Sequence, residues 1–544
     1  MNRTAPQDET LTLDGIRKAH WRAWAILAAL LVLAVSVRLY GLGSRSLWAD
    51  EFCTWHVSRM PLGESFRWGP ELTKPPLYQL TLRAITSDPH PPEWVLRLPA
   101  AIAGILAIPA ALWLGTLAGG ARVGCALAGL LAMQPFHIHH SQEARPYSML
   151  VLGCILSTGL WYRLVASRRS VDWVLYVVVA TLTFYAHYLV VLTLAAHVIW
   201  LAFVSVKGDR CFPRIPSFAL LAVGVLCVPM VWHYYVYRQM TFQGLDWIRP
   251  PTWASAFAVL GKLSFGYAWV FAVLAPALTV WAVVGARQTR ARQSSDEPTE
   301  EGGSATLHAQ LIACHSESAK ASEEPGPFAA LRVTSWDRRN LCGLLAAWLF
   351  CSWFGLLVIS WIRHPAMVDR YAIPAIIPAL LLPLLVSERL FQKGPLVLMA
   401  AFMAYGGLQR LDQRSAVALG FRELVEFLGE RVDPATDAVV LTIDDMSDLH
   451  WDDAERLGFA YYPLPTSMPY SELHVAPDGI TVENPEVLKD PRAFWLMVLH
   501  TDPFPILERA GRKALQIQIE NRRFSQLLFE PYRLLYVAPL DAMP

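Results

Sequence analysis

The chain has 544 residues, of which 54% are hydrophobic and only 17% charged. Soluble domains carry about 25% charge, so this chain is not soluble throughout, and its net charge of +1 excludes a nucleic-acid binder built on a basic excess. The eight cysteines form no CxxC or metal-ligand spacing, which leaves no basis for a zinc ribbon or a disulfide framework.

Apolar runs long enough to cross a bilayer, about 20 residues each, fall near 24–43, 98–120, 123–140, 146–167, 171–187, 188–206, 217–236, 266–285, 341–362, 371–386 and 395–408. They predict about eleven transmembrane helices. The first reads as a span and not as a cleaved leader, because "YGLGSRSLW" offers no small-residue cleavage site and further spans follow. Arg17, Lys18 and Arg22 precede span one, Arg168 and Arg169 follow span four, and Lys207, Arg210 and Arg214 follow span six. Arg287, Arg290 and Arg292 follow span eight, and Arg389 and Lys393 follow span ten. On an eleven-span path all of these lie on one side, which the positive-inside rule makes cytoplasmic. The expected product is a multi-pass protein of the cytoplasmic membrane with its N-terminus (1–23) inside.

Three further regions stand out. Residues 44–97 form a long first outer loop rich in Pro and Trp, and residues 286–340 form an inner loop of disorder-like composition. Residues 409–544 are expected outside the membrane as an α/β domain. There "FRELVEFLGERV" has helical spacing, "DAVVLTI", "RAFWLMVLH" and "YRLLYVAPL" read as strands, and "DAERLGFAYY" and "FPILERAGRKAL" read as helices. No phosphate-binding loop or nucleophile motif occurs in that domain.

Ionisable groups at the edge of a membrane are functional candidates by default, and five clusters fall on the predicted outer face. The first is Asp50–Glu51 in "RSLWADEF". Neighbours on a helix point about 100° apart, so one carboxylate can face a reaction centre while the other holds the loop. The bland alternative is an acidic first helix turn. The second is Lys74 in "ELTKPPLYQL", where the prolines favour an extended approach; a lysine snorkelling to headgroups is the alternative. The third is "HIHHSQEARPYSML", whose Arg145 calls for an anionic partner. Its His139, His140 and Glu143 are the candidates for a divalent metal, without HExxH or a complete ligand set. The fourth, "WHYYVYRQMTFQGLDWIRP", offers His233 and Arg238 within an aromatic band that needs no function of its own. The fifth is "RHPAMVDRYAIP", with Arg363, Asp369, Arg370 and Tyr371, a basic cluster unexpected outside unless it meets an anionic ligand.

An acidic pair among cations and phenols suits transfer from a phosphate-linked donor. The phosphate leaves as a stabilised anion, so one carboxylate base and cations for the leaving group suffice. Glycosidases, in contrast, use two carboxylates flanking the bond. The membrane part has no DxD sequence, which favours a lipid-linked donor over a metal-bound nucleotide sugar. The alternative is a transporter or flippase of lipid-linked sugars, which calls for broken helices or repeated halves with midplane charge. Here the charges gather at one face.

In order among the spans, "SLWADE", "KPPLY", "QEARPYSM" and "DRYAIP" resemble the bacterial dolichyl-phosphate-mannose-protein mannosyltransferase-like family. Its members are integral-membrane glycosyltransferases of the GT-C fold, similar to glycosyltransferase family 39 and related to the aminoarabinose transferases of lipid A. The resemblance covers residues from about 20 to 410 and makes 24–408 the catalytic domain. It implies an inverting transfer of a sugar from a polyprenyl-phosphate carrier to a protein, lipid or glycan acceptor at the outer face. It makes Asp50 the base, with Glu51 assisting or supporting the loop. Lys74 and Tyr371 are the best matches to residues that contact the carrier phosphate, with Arg145, Arg370 and Arg238 as further contacts. The aminoarabinose transferases carry an acidic residue just before the matching lysine. Here that residue is Thr73, which argues against a metal at that place, and the long 286–340 loop is not a feature of the family.

Overall fold

The structure is a computed structural model. It describes residues 13–66, 74–167, 169–206, 214–237, 248–265, 335–362, 365–390, 393–403, 421–431, 460–464, the five strands of a sheet, and the single residues 433, 435 and 486. The predicted span 266–285, the inner loop 286–340 up to residue 334, Arg238 and Arg363 lie outside the described residues.

Helix α1 (Leu13–Leu39) leads into a long first loop built from three short helices, α2 (Ala49–Arg59), α3 (Leu62–Ser65) and α4 (Leu77–Ile85). Then follow α5 (Glu93–Gly119), α6 (Ala121–Met133), α7 (Pro135–His140), α8 (Tyr147–Ser167), α9 (Ser170–Ala186), α10 (Val190–Val206) and α11 (Arg214–Val236). Among the described residues, five helices are long and apolar enough to cross a membrane: Glu93–Gly119, Tyr147–Val165, Ile215–Val236, Leu341–Ile362 and Asp369–Arg389. Shorter apolar helices include Ala25–Leu39, Ala121–Met133, Ser170–Ala186, Val190–Phe203 and Gly394–Met403. The chain is a polytopic α-helical membrane protein.

Lipid acts as the solvent of this bundle. On α9, Val171, Val174, Leu175, Val178 and Leu182 share an exposed stripe, while Tyr176, Val177, Ala180 and Phe184 turn inward. A helix apolar on every side is stable only where its outer face meets hydrocarbon. Inside, the helices pack closely: a Cβ on Gly115 of α5 would come within 2.7 Å of the Gly124 backbone of α6. Small residues at such crossings let backbones touch. The two helices are joined by Gly120, whose φ of +86° is a left-handed conformation that suits glycine.

Four departures from the sequence-based expectation bear on the site. The predicted span 123–140 is not one helix, since α6 stops at Met133 and Pro135 opens the short α7. Gln134 caps α7 by accepting the His137 N–H at 2.8 Å, and a proline at the first turn suits this break. The span 341–362 is interrupted by a π-helical turn at Phe350–Gly355, and an unforeseen helix, α12, occupies Trp253–Leu263. Finally, "DRYAIP" forms a 3-10 turn over Asp369–Ala375 that feeds the helix Ile376–Leu390.

Near the C-terminus, α13 (Phe421–Arg431) precedes a mixed five-stranded sheet of order β2-β1-β3-β5-β4. Its strands are β1 (Asp437–Asp444), β2 (Tyr470–Val475), β3 (Ala493–Val498), β4 (Arg512–Gln516) and β5 (Arg533–Pro539). β1 pairs in parallel with β2 and β3, whereas β5 pairs antiparallel with β3 and β4. The predicted helix 504–515 is overturned at its end, where residues 512–515 belong to β4. The alternation Leu515, Ile517, Ile519 against Gln516 and Gln518 is the period of a strand. β2 had no counterpart in the sequence reading.

Candidate active site

Among the described candidates, Asp50, Glu51, Arg145 and Arg370 collect where the first long loop, the segment 134–146 and the 369–375 turn meet. Helix α2 begins at Ala49 with Asp50 and Glu51 in its first turn, and Glu51 Oε2 accepts the Trp48 N–H at 3.4 Å. Favourable interaction with the dipole accounts for acids at this position, but the two carboxylates have different surroundings.

Glu51 is closed off. Arg97 of α5 donates from Nε to Oε1 at 2.8 Å and from Nη2 to Oε2 at 2.7 Å. The Ala144 N–H adds a third bond to Oε1 at 2.6 Å. Both side chains are at most 3% exposed. The rest of the Arg97 fork reaches the carbonyls of Leu42, Arg45 and Ser46 at 2.8–2.9 Å. This bidentate pair is the strong, geometrically defined kind, and it fastens the loop before α2 to the start of α5. Arg97 was missed by the sequence reading. Its signal was an arginine one turn into a helix that enters the bilayer, a place where a charge needs a partner.

Asp50 is buried but loosely held. Its Oδ2 lies 3.7 Å from Arg145 Nη2 and 3.6 Å from Arg370 Nη1, beyond hydrogen-bond length. Arg145 is itself seated on α2, donating from Nη1 to Thr54 Oγ1 at 2.9 Å and to the Asp50 carbonyl at 3.2 Å. Burial alone would raise the Asp50 carboxyl, but Arg145, Lys74 and Arg370 together outweigh it and hold the group below its ordinary value. Asp50 is therefore an anion at neutral pH. The Arg370 guanidinium carbon stands 5.6 Å from the Tyr371 ring centre and 5.8 Å from that of Trp48, within cation–π range of both.

Lys74 sits immediately before α4, and Pro76 is the N-cap of that helix in helical backbone (φ −87°, ψ −4°). The chain thus turns into helix at Pro76. Lys74 lines a recess between α2, α3 and α4 with Val57, Phe66, Pro76 and Arg83. Tyr78 of the same motif is fully buried and donates to the Leu96 carbonyl at 2.8 Å, tying α4 to α5.

The segment 134–146 is pinned from several sides. Arg38 at the end of α1 donates to the Leu131 and Ala132 carbonyls at 3.1 and 3.2 Å, and its Nη2 lies 2.9 Å from His137 Nδ1. Carbonyls at a helix C-terminus lack intrahelical partners, so this buried guanidinium completes α6. Gln142 Nε2 reaches back to the carbonyls of Arg38 and Tyr40 at 3.1 and 3.0 Å.

His139, His140 and Glu143 converge, with one possible ligand atom from each within 4.8 Å of the others. His139 Nε2 lies 2.9 Å from Glu143 Oε1, and His140 Nδ1 lies 2.7 Å from Glu143 Oε2. Two atoms bound about 2.1 Å from one tetrahedral zinc ion would stand roughly 3.4 Å apart. The three side chains are drawn together by hydrogen bonds, and each would move outward by less than about 1 Å to take up a divalent ion. Burial would raise the Glu143 carboxyl, but the two imidazoles overcome this and hold it well below its ordinary value. Beside this cluster, Lys262 of α12 donates to Asp369 Oδ2 at 2.6 Å; neither Lys262 nor α12 was anticipated.

Residues 73–234 match the family profile described as dolichyl-phosphate-mannose-protein mannosyltransferase. The matched stretch starts one residue before Lys74 and takes in Arg97, Glu143 and Arg145. Over that stretch, under a third of its length, the chain is similar to this family. No match to a curated protein sequence was found. Among solved structures, ArnT from Cupriavidus metallidurans bound to undecaprenyl phosphate is similar at 13% identity and a TM-score of 0.41, over 96% of this chain and 98% of that one. The S. cerevisiae Pmt1–Pmt2 complex bound to its sugar donor is similar at 12% identity and a TM-score of 0.29, over 44% of this chain and 36% of that one. The Archaeoglobus fulgidus oligosaccharyltransferase AglB, in complex with an inhibitory peptide and a dolichol-phosphate, is similar at 14% identity and a TM-score of 0.39, over 84% and 61% of the two chains. Likenesses this loose say nothing about individual residues.

Proposed function

We propose that this membrane protein is a glycosyltransferase with a GT-C core, which transfers a sugar from a polyprenyl-phosphate-linked donor to a protein, lipid or glycan acceptor at the outer face of the cytoplasmic membrane, with inversion. The observation that carries this reading is the contrast between the two neighbouring carboxylates. Glu51 is spent in a closed pair with Arg97, whereas Asp50 faces Arg145 and Arg370 at 3.6–3.7 Å with Lys74 nearby. An anion ringed by cations at more than hydrogen-bond length suits a site that admits a second anion, the donor phosphate.

In the reaction the acceptor oxygen attacks the anomeric carbon from the face opposite the phosphate. The bond from that carbon to the phosphate oxygen breaks, and its electron pair leaves on the carrier phosphate. The acceptor proton passes to Asp50. Lys74, Arg145 and Arg370 stabilise the charge that builds on the leaving phosphate, and the Tyr371 hydroxyl donates to it. Arg238 belongs to the same proposed set. As the donor phosphate shares the charge of Arg145 and Arg370, Asp50 loses part of their compensating charge and becomes a better base. Glu51 holds the loop. No step calls for a metal at His139, His140 and Glu143.

The test uses purified protein, a synthetic polyprenyl-phosphate sugar and candidate acceptors, with the product anomer read by NMR. Asp50→Asn is expected to remain folded, to bind donor and to lose transfer by at least about a hundredfold, the range of a lost general base. Full transfer by Asp50→Asn, or a product with retained configuration, would refute the assignment.

A further inference from the structure

Helix α2 is sandwiched. Its Asp50 and Thr54 face the cations of the membrane part, while Phe52 and Trp55 are covered by the C-terminal region. The Phe52 ring stands 5.6 Å from Phe421 and 6.1 Å from each of Tyr461 and Tyr462, and Trp55 stands 5.0 Å from Tyr461. These rings share one buried cluster with Leu424 and Leu428 of α13 and Val439 of β1. The fit is not only apolar. Tyr462 Oη accepts the Leu47 N–H at 3.1 Å and donates to Glu93 Oε1 at 2.8 Å. Arg422 reaches the same Glu93 oxygen at 2.9 Å and donates to the Ser44 carbonyl at 2.7 Å. Tyr461 Oη donates to the Pro91 carbonyl.

Glu93 and Arg97 lie one turn apart on α5, on one helix face. Glu93 takes Arg422 and Tyr462 from the C-terminal region, and Arg97 takes Glu51 and the carbonyls of 42, 45 and 46. The residues just ahead of Asp50 are thus gripped from both sides, by α5 and by the C-terminal region. Catalytic groups misplaced by about 1 Å lose on the order of a hundredfold in rate, so an element that fixes α2 has leverage over the chemistry.

We propose that the C-terminal region is a positioning element of the active site, and that Glu93, Arg422 and Tyr462 form a latch that seats α2 and with it Asp50. This rests on the reading of Asp50 as the base. Arg422 and Tyr462 touch no reacting atom in this arrangement, and they act through Glu93, Leu47 and Ser44.

The test compares Tyr462→Phe, Arg422→Ala and Arg422→Lys in the full-length protein. It reads thermal stability, donor affinity from polyprenyl-phosphate binding, kcat per folded molecule, and hydrogen exchange of the peptide spanning residues 47–57. Tyr462→Phe and Arg422→Ala are each expected to speed exchange in that peptide and to lower kcat about tenfold, the order of one lost hydrogen bond to a charged group. Donor affinity should stay within twofold or so, since the donor's cations are elsewhere, and Arg422→Lys should recover much of kcat by keeping charge at Glu93. The double variant should cost less than the product of the single losses, because both residues grip one carboxylate. Unchanged exchange would show that no latch seats α2. Faster exchange at full kcat would show that its seating does not matter, and weaker donor binding at full kcat would make the region a donor-binding element instead; each result overturns the proposal. Asp50→Asn measured in parallel separates the two failures. Full activity there removes the base, while the exchange data still report on the latch.

Discussion

Glu51→Gln separates the two neighbouring carboxylates most sharply. The parent carboxylate accepts two bonds from Arg97 at 2.7 and 2.8 Å, one from the Ala144 N–H at 2.6 Å and a long one from the Trp48 N–H at 3.4 Å. Glutamine keeps the shape but replaces one acceptor with an NH2 group, which must then face either the guanidinium or a backbone N–H. It also leaves the Arg97 charge, on a side chain only 3% exposed, without its counter-ion. Breaking a buried pair by removing one partner destabilises by about 3–5 kcal/mol. The loss should appear as a lower thermal midpoint in detergent, with residues 42–48 the first to gain hydrogen exchange. Asp50→Asn, whose ion pairs are 3.6–3.7 Å long, should cost less than Glu51→Gln, because it breaks no short charge-assisted hydrogen bond and Arg145 keeps its bonds to Thr54 and the Asp50 carbonyl. The decisive comparison is activity per folded molecule at a temperature where both variants are intact: Glu51→Gln is expected to keep measurable transfer and Asp50→Asn to lose it. A Glu51→Gln protein as stable as the parent and wholly inactive would put Glu51 in the chemistry and refute the division of roles.

Lys74→Ala is expected to raise the apparent KM for the lipid-linked donor about tenfold or more with a smaller change in kcat, as for a lost contact to a charged group; steady-state kinetics over a donor series decide it. The Asp50 carboxyl is held below its ordinary value, so the base is ionised throughout neutral pH. In free enzyme, activity should fall only as pH drops through that depressed value, whereas the phosphate of bound donor should move the acid limb upward. Profiles of kcat/KM and kcat report the two states, and an acid limb lower for kcat than for kcat/KM would contradict the shared cations. Because His139, His140 and Glu143 close on one another as hydrogen bonds, prolonged chelator treatment should leave transfer unchanged; loss of activity restored by one divalent ion would overturn that.

What was legible in the sequence follows from the reach of each physical signal. A bilayer demands a run of apolar residues, which is local, so most helices fall where the hydropathy places them. The break at Gln134–Pro135 was legible in principle from the proline, but hydropathy ran across it. The carboxylate pair could be seen to need two environments from helical geometry alone. The partner of Glu51 could not, because Arg97 lies 46 residues away and reads in isolation as a charge at a helix entrance. The same holds for Glu93, whose partners Arg422 and Tyr462 are 329 and 369 residues distant. In the sheet, the tail of "FPILERAGRKAL" has helix-forming residues, yet it lies on an edge strand where pairing with β5 decides.

On the proposed reading of Asp50 as the base, one acid alone would not do. A carboxylate that must receive a proton beside a leaving phosphate cannot also be the anchor of its own helix, because an anchoring hydrogen-bond set lowers basicity and resists movement. Here the next residue takes the anchor. Glu51 consumes Arg97 completely, so that guanidinium is withdrawn from the phosphate site and cannot compete for Asp50. Arg145 remains tied to Thr54 and to the Asp50 backbone, which keeps it in place whichever anion it faces. The proposed base could therefore change electrostatic partners during the reaction while its helix stays fixed. Adjacent residues on a helix turn, pointing about 100° apart, are the shortest arrangement that lets one acid face α5 and the other face the cations.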